Sequence, residues 1–131
     1  MQSSRAILLV KEWEVVCIEE SQLLKGVLEG CVLGIITTGE IYGYEIRSRL
    51  EEAGFESVGE GTLYPVLSRL EKKGLIACRK EKSPYGPMRK YYSVTDAGQA
   101  YYRQFKQSYY ALTAKALRIL GASGEQGETK Q

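Results

Sequence analysis

The chain has 131 residues, of which 44% are hydrophobic and 26% are charged, which fits one globular domain with a modest core. Its net charge of only +2 indicates no partner by itself. There is no histidine, and the three cysteines lack CxxC spacing, which argues against a disulfide framework, a metal site and His-dependent catalysis. No apolar run reaches the ~18 residues of a membrane span and no apolar signal core opens the chain, so we expect a cytoplasmic protein without a membrane partner.

The first 20 residues fit no element of the pattern that follows them. Residues 6–10 and 15–18 have the composition of short strands, but no nearby segment is an obvious pairing partner. Three interpretations stay open: a loosely packed extension, an ordered arm on a partner subunit, or an artefact of the choice of start codon. The predicted domains are this extension, a folded domain over 21–95, a helix over 96–120 and a disordered tail over 121–131.

Apolar residues at helical spacing predict two helices in the first half of the chain. The first helix runs from Ser21, a suitable N-cap, to Gly39, and its apolar face is broad enough to be mostly buried. The second helix covers 43–53 and ends at Gly54, the residue type that most often follows a helix.

A third helix is predicted to begin near Glu60 and to end at Gly74. We expect Pro65 to bend it mildly, because proline inside a helix removes a hydrogen bond. Its apolar stripe would be buried and consists of Leu63, Val66, Leu67 and Leu70. The side chains that point away from this stripe, toward water, a partner protein or a nucleic acid, are Thr62, Tyr64, Ser68, Arg69, Lys72 and Lys73.

Two strands, 75–82 and 88–94, are predicted around a turn rich in proline and glycine at 83–87. Residues 72–90 contain seven Lys or Arg and one acid, a charge of +6, whereas the rest of the chain carries −4. Such a basic block on a nearly neutral protein is typical of a nucleic-acid contact surface. Because an isolated hairpin is marginally stable, it must pack on the helices.

The last predicted helix is capped by Thr95 and runs to about Leu120, roughly 35–40 Å. Its apolar residues alternate spacings of three and four, which predicts a heptad seam for a homodimer. The seam residues are Tyr102, Phe105, Tyr109, Leu112, Ala116 and Ile119.

The order of elements, three helices, a basic hairpin and a long helix, is that of a winged helix-turn-helix. The fold class is therefore expected to be mainly α with a small β-hairpin, followed by a long C-terminal dimerisation helix. In this arrangement the third helix enters the major groove and the hairpin, the wing, lies on the flanking backbone.

Several short motifs in this order resemble the PadR family of transcriptional regulators over residues 23–120. The motifs are Gly43-Tyr44-Glu45, Gly61-Thr62-Leu63-Tyr64-Pro65, Leu67-x-x-Leu70-Glu71, Gly74-Leu75-Ile76, Arg89-Lys90-Tyr91-Tyr92 and Val94-Thr95 with Gly98. The single long C-terminal helix is similar to that of the shorter PadR subfamily, in which it makes the homodimer.

The resemblance implies a homodimeric repressor of a pseudo-palindromic operator in double-stranded DNA, released by a small molecule or another signal. Arg69 is the leading candidate for contacting a base or phosphate. The full set of expected DNA contacts is Tyr44, Thr62, Tyr64, Ser68, Arg69, Lys72, Lys73, Lys80, Lys82, Arg89 and Lys90. A pocket for a small aromatic effector would be lined by Tyr101, Tyr102, Phe105 and Tyr109, although the Trp that drug-binding relatives often place on this helix is absent.

The sequence departs from the family pattern at Tyr42, where many members have His, and at Gly59-Glu60, where many have Ser-Pro. The second change puts an acid near the surface expected to face DNA. An enzyme is not expected, because no nucleophile and base occur at a useful spacing, and neither a metal nor a cofactor is expected. The alternative function is a winged-helix module for protein interaction without specific DNA binding.

Overall fold

The structure, a computed structural model, describes residues 23–121. The predictions for residues 1–20, for a cap at Ser21 and for a tail beyond Gly121 lie outside these residues. The described helices and strands are α1 (Leu28–Ile36), β1 (Ile41–Tyr42), α2 (Gly43–Glu52), α3 (Glu60–Lys72), β2 (Ile76–Glu81), β3 (Arg89–Val94) and α4 (Asp96–Leu120). The predicted fold class, mainly α with a small β component, is confirmed.

The first predicted helix is wrong as a single element. Leu23 and Leu24 are helical, but residues 25–27 form a turn, in which the Val27 N–H donates to the Leu24 carbonyl at 2.9 Å. Gly26, which costs about 1 kcal/mol relative to alanine inside a helix, explains the break. The helix resumes as α1 and ends at Ile36, three residues before Gly39.

The helix-turn-helix agrees with the sequence to within a residue or two. Helix α2 starts at Gly43, and Gly54 follows it at a φ of 106°, which suits glycine. Helix α3 starts at Glu60, as predicted, and Gly74 follows it at a φ of 76°. The bend expected at Pro65 stays a prediction.

The hairpin is confirmed, but it belongs to a three-stranded sheet in the order β1-β3-β2. Ile41 pairs with Tyr92 and Tyr42 pairs with Tyr91, both antiparallel. Strand β1 was not predicted, because two residues are too few to show the alternation of a strand. This short strand fixes the base of the wing beside the first turn of α2.

The core lies where α1, α2, α3 and the sheet meet. Its largest fully buried side chains are Leu33, Ile36, Ile46, Leu50, Leu63, Leu67 and Leu70. All four residues of the predicted apolar stripe of α3 are buried. The opposite face of α3 is consequently left outside, in a fixed orientation relative to the wing.

Helix α4 is joined to this core at its N-terminal half. Thr95 caps it by accepting the Gly98 N–H at 3.0 Å and also donates to the Gly74 carbonyl at 2.7 Å. Two glycines of α1, Gly30 and Gly34, lie against the rings of Phe105 and Tyr102. Within 23–121, no helix combines the length and the apolar character needed to span a bilayer.

Candidate nucleic-acid interface

The outermost face of α3 is formed by small and polar residues. Gly61, Pro65, Ser68 and Lys72 are all exposed, and with 3.6 residues per turn they lie opposite the buried stripe. A face with two small residues and one hydroxyl allows close approach of a partner, while Lys72 adds a positive charge at its end.

Tyr64 lies on the flank of α3 that faces α2. A Cβ placed on Gly43 would come within 3.4 Å of the Tyr64 hydroxyl, so the ring packs across the first turn of α2. The same ring is 47% exposed, which leaves one face open to a partner. Tyr44, in the first turn of α2, is 64% exposed and stacks on Tyr42 with ring centroids 6.3 Å apart. Both tyrosines therefore lie at the junction of α2 and α3.

The other flank of α3 faces α1, and its cations are paired. Arg69 Nε lies 2.7 Å from one carboxylate oxygen of Glu29, and Lys73 Nζ lies 3.2 Å from the other oxygen. Burial alone would raise the pKa of Glu29, but the hydrogen bonds from Arg69 and Lys73 outweigh it and lower the pKa. Arg69 was the leading expected DNA contact, and the structure instead directs it toward α1.

An open groove of about 340 Å³ separates α1 from this flank. Apolar side chains such as Leu28, Val66 and Pro65 line it, and Thr62, Glu29 and Arg69 contribute polar atoms. Thr62 thus belongs to the groove between the helices rather than to the outermost face of α3.

The wing divides its charges between two faces. In the β2–β3 register, Cys78 is opposite Tyr92 and Lys80 is opposite Lys90. Because alternate residues of a strand share a face, the two lysines lie on the same side as the buried Tyr92, the side toward the helices. The exposed Lys82 directly follows the end of β2.

On the second face of the wing, the arginines contact acids and aromatic rings. Arg79 donates to both carboxylate oxygens of Glu40, at 2.7 and 2.9 Å, and to Glu81 at 2.8 Å. Its guanidinium carbon lies 4.7 Å from the centroid of the Tyr91 ring. Arg89 lies over the Tyr42 ring at 5.0 Å, on the sheet face that Tyr91 shares.

Cys78 lies where the wing meets α3. Burial raises the pKa of its thiol, and the nearby Glu71 carboxylate adds to that effect, while Lys90 and Lys80 oppose it. Burial also raises the pKa of Tyr92 to about 12, with smaller contributions from Cys78, Tyr64 and Glu71. Tyr64 and Glu71 of α3 therefore lie close to Cys78 and Tyr92 of the wing. Lys80 and Lys90 lie beside this contact between α3 and the wing.

Four cations are left without a carboxylate partner along this surface. In the described part of the chain, no ion pair involves Lys72, Lys80, Lys82 or Lys90. Lys80 and Lys90 are direct cross-strand neighbours, an arrangement that like charges make unfavourable. The surface that carries the unpaired charge thus runs from the end of α3 to one face of the wing, and it is suited to bind phosphates.

Helix α4 divides the expected dimer seam into two parts. Tyr102 and Phe105 are half-buried against Gly34 and Gly30 of the same chain, and Phe105 stacks on Tyr109 with centroids 5.9 Å apart. Leu112, Ala116 and Ile119 lie beyond this contact and are exposed, Ile119 to 87%.

The residues expected to line an effector pocket are split in the same way. Tyr101 and Tyr109 are partly exposed, at 37% and 39%, whereas Tyr102 and Phe105 pack on α1. In the single chain, therefore, the rings of Tyr102 and Phe105 are already in contact with protein. Within the described residues, no cluster of three or more His, Cys, Asp or Glu is placed to hold a metal ion.

The family model of the transcriptional regulator PadR-like family matches residues 32–104, which include α2, α3, the wing and the start of α4. The chain belongs to this family. It is therefore a member of a family of transcriptional regulators.

Two solved structures and one curated relative agree with this assignment. A PadR-like transcriptional regulator from Bacillus cereus is 44% identical with a TM-score of 0.68, and the match covers 78% of this chain and 99% of that one. A Streptococcus transcriptional regulator is 46% identical with a TM-score of 0.68, over 78% of this chain and 100% of that one. The negative transcriptional regulator PadR of Bacillus subtilis is 36% identical over 75 residues, 56% of this chain but only 41% of its own length.

The two departures from the PadR pattern have structural consequences. Tyr42 caps α2 by its backbone, with its N–H 3.4 Å from the Glu45 carboxylate, and its ring packs with Tyr91 at 5.6 Å. Glu60, the acid at the start of α3, lies 3.9 Å from Arg47 of α2, so its charge is partly offset.

Three residues that determine which cations are available were not predicted from the sequence, namely Glu29, Glu40 and Tyr91. Glu29 is 40 residues from its partner Arg69, and Glu40 is 39 residues from its partner Arg79. Tyr91 is 12 residues from Arg79, which it faces across the two strands. Only the alternation of β2 and β3 contained a usable signal, because it separates Arg79 from Lys80.

Proposed function

We propose that this PadR-family protein is a homodimeric, sequence-specific repressor. In this proposal each copy of α3 enters a major groove with the face that carries Ser68 and Lys72, and each wing lies on the flanking sugar-phosphate backbone. Two-fold symmetry then requires a pseudo-palindromic operator with half-sites about one helical turn apart. Bound in this way at a promoter, the dimer blocks polymerase.

The single observation that supports this proposal best is the Lys80–Lys90 pair. Two lysines opposite each other on a sheet repel, and among the described residues neither forms an ion pair with an acid. A phosphate between them removes the repulsion and satisfies both ammonium groups. By contrast, the wing face that carries Arg79 is compensated internally by Glu40 and Glu81.

The dimer is supported by the exposed apolar residues of α4. Leu112 and Ile119 are 64% and 87% exposed in the single chain, on the face where Ala116 also lies. A second copy of α4 would bury this face. A signal that changes the angle between the two α4 helices would alter the spacing of the two α3 helices, because Gly30 and Gly34 couple α4 to α1.

Fluorescence anisotropy with labelled DNA tests the proposal. The DNA lying just upstream of the protein's own gene is compared with a scrambled duplex of the same length over a series of salt concentrations. We expect tight, selective binding that weakens steeply with salt. Equal and weak binding to both duplexes would refute the specific operator, and no binding at low salt would favour the protein-interaction module.

A further inference from the structure

Glu29 is one carboxylate that holds two cations of the helix expected to read DNA. Its two oxygens are used separately, one by Arg69 Nε at 2.7 Å and the other by Lys73 Nζ at 3.2 Å. The Glu29 side chain is only 21% exposed, whereas those of Arg69 and Lys73 are 54% and 49% exposed. Glu29 is thus the fixed partner, and the two cations reach toward it from α3.

The backbone that carries Glu29 is itself held firmly. The next residue, Gly30, is buried, and a Cβ added there would overlap the Phe105 ring of α4. Leu28 on the other side is also buried in the core. The backbone at Glu29 therefore has little freedom to move with Arg69 or Lys73 if they turn toward the outer face of α3.

The pairing changes which charges are available to DNA. Of the basic residues of α3 and the residue that follows it, Arg69 and Lys73 are bound to Glu29 on the α1 flank, and Lys72 is free on the outer face. A protein bound to random DNA by charge alone can tilt until any free cation reaches a phosphate, because no base contact fixes its orientation. Two free cations on the flank would therefore strengthen binding to every sequence.

We propose that Glu29 is a specificity-determining residue that withholds Arg69 and Lys73 from the phosphates of non-operator DNA. This inference rests on the proposed DNA-binding function. When base contacts hold α3 in the major groove of an operator, the orientation of the protein is fixed. Two further free cations on the α1 flank of α3 then add little to operator affinity. Glu29 thus lowers sequence-independent affinity more than operator affinity, and so it increases selectivity.

The test compares Glu29→Gln with Glu52→Gln, which makes the same change of charge at an exposed acid for which the described residues provide no ion pair. Affinities are measured by anisotropy for the selected upstream duplex and for the scrambled duplex. We expect Glu29→Gln to raise affinity for the scrambled duplex roughly tenfold at 0.1 M salt. The slope of log affinity against log salt concentration should steepen by up to about 1.8 per protomer, because two cations are released. The upstream duplex should gain less than about threefold, and Glu52→Gln should change neither affinity by more than about twofold.

A second variant guards against a folding defect in Glu29→Gln. In Arg69→Ala/Lys73→Ala, the scrambled duplex should bind within about twofold of wild type, because these cations are already withheld. Adding Glu29→Gln to that variant should then change affinity for scrambled DNA no more than Glu52→Gln does in the wild type.

Three results would overturn the inference. They are an equal gain for both duplexes, no gain beyond that of Glu52→Gln, and a large loss of scrambled-DNA affinity in Arg69→Ala/Lys73→Ala. A different result would refute the proposed function, namely wild-type protein that binds the upstream and the scrambled duplex equally. In that case the measurements on scrambled DNA still decide whether Glu29 withholds the two cations.

Discussion

Replacing both Lys80 and Lys90 by alanine should weaken DNA binding without destabilising the fold. The two side chains face each other across the wing, and neither has a carboxylate partner among the described residues. If each contacts a phosphate, the variant removes four cations from a dimer on DNA. Each phosphate contact contributes about 0.9 to the slope of log affinity against log salt concentration, so the slope should become shallower by about 3.6. Affinity at 0.1 M salt should fall more than about a hundredfold.

The stability of the same variant provides the second half of this test. Removing two like charges that lie opposite each other should leave the melting temperature unchanged or raise it slightly, because such pairs are destabilising by a few tenths of a kcal/mol. Anisotropy over a salt series and thermal unfolding by circular dichroism measure the two effects on one sample.

A matched control for the Lys80/Lys90 variant is Arg103→Ala/Lys115→Ala, which removes the same charge from exposed positions of α4. An equal flattening of the salt dependence by the control and the wing variant would refute phosphate contacts at Lys80 and Lys90. These contacts are also refuted if the wing variant loses affinity only because it unfolds, since the lysines would then be structural.

Three further predictions concern the fold and the dimer. Gly98→Ala should destabilise the protein by about 1–3 kcal/mol in urea unfolding, because a Cβ would overlap the Leu75 carbonyl oxygen. Tyr92 has its pKa raised to about 12 by burial, from 10, so the folded state favours the neutral phenol. The free energy of unfolding should therefore be unaffected by this phenol below pH 10 and should fall by on the order of 2 kcal/mol as pH rises toward 12. Tyr92→Phe should lack this fall in urea unfolding. Ile119→Glu should convert the dimer to a monomer in sedimentation equilibrium, because it places a charge in the proposed seam.

Each of these predictions has an outcome that contradicts it. Gly61→Ala, where an added Cβ meets open space, should not destabilise, so equal effects of the two glycine variants would contradict the packing argument for Gly98. Parallel pH dependence in wild type and Tyr92→Phe would show that the Tyr92 phenol is not the titrating group. Gln107→Glu introduces an acid at another exposed position of α4, and dissociation by this control as well would refute the seam.

The sequence predicts the helices and the wing because local patterns determine them. Leu63, Val66, Leu67 and Leu70 identify the buried stripe of α3 without any knowledge of its neighbours. The caps Thr95 and Gly54 act within a few residues of their own positions, so they can be read from the sequence directly.

What the sequence does not predict is decided by residues far apart along the chain. Arg69 looks like a free cation on the exposed side of a helix until the fold brings Glu29, 40 positions earlier, within 2.7 Å. Phe105 and Tyr102 fit a heptad seam equally well whether they pack on another α4 or on Gly30 and Gly34 of α1. The sequence pattern indicates that these residues make contacts, and only the tertiary structure indicates which residues they contact.

The turn at residues 25–27 is a local feature that the periodicity nevertheless obscures. Leu24 and Leu28 keep helical spacing across it and are both buried, so the apolar pattern continues through the break. The glycine at position 26 was the available signal, and its low helix propensity competes with the burial of the two leucines.

The measurement that tests the central claim most directly is the change in amide NMR shifts when isotope-labelled protein binds the upstream DNA duplex. If α3 and the wing form the interface, the largest changes should lie in 60–72 and 76–90, with smaller ones at the start of α2. The exposed C-terminal half of α4 should change little. Large changes along α4 with an unchanged wing would contradict the account, because the unpaired lysines of the wing would then have no part in binding DNA.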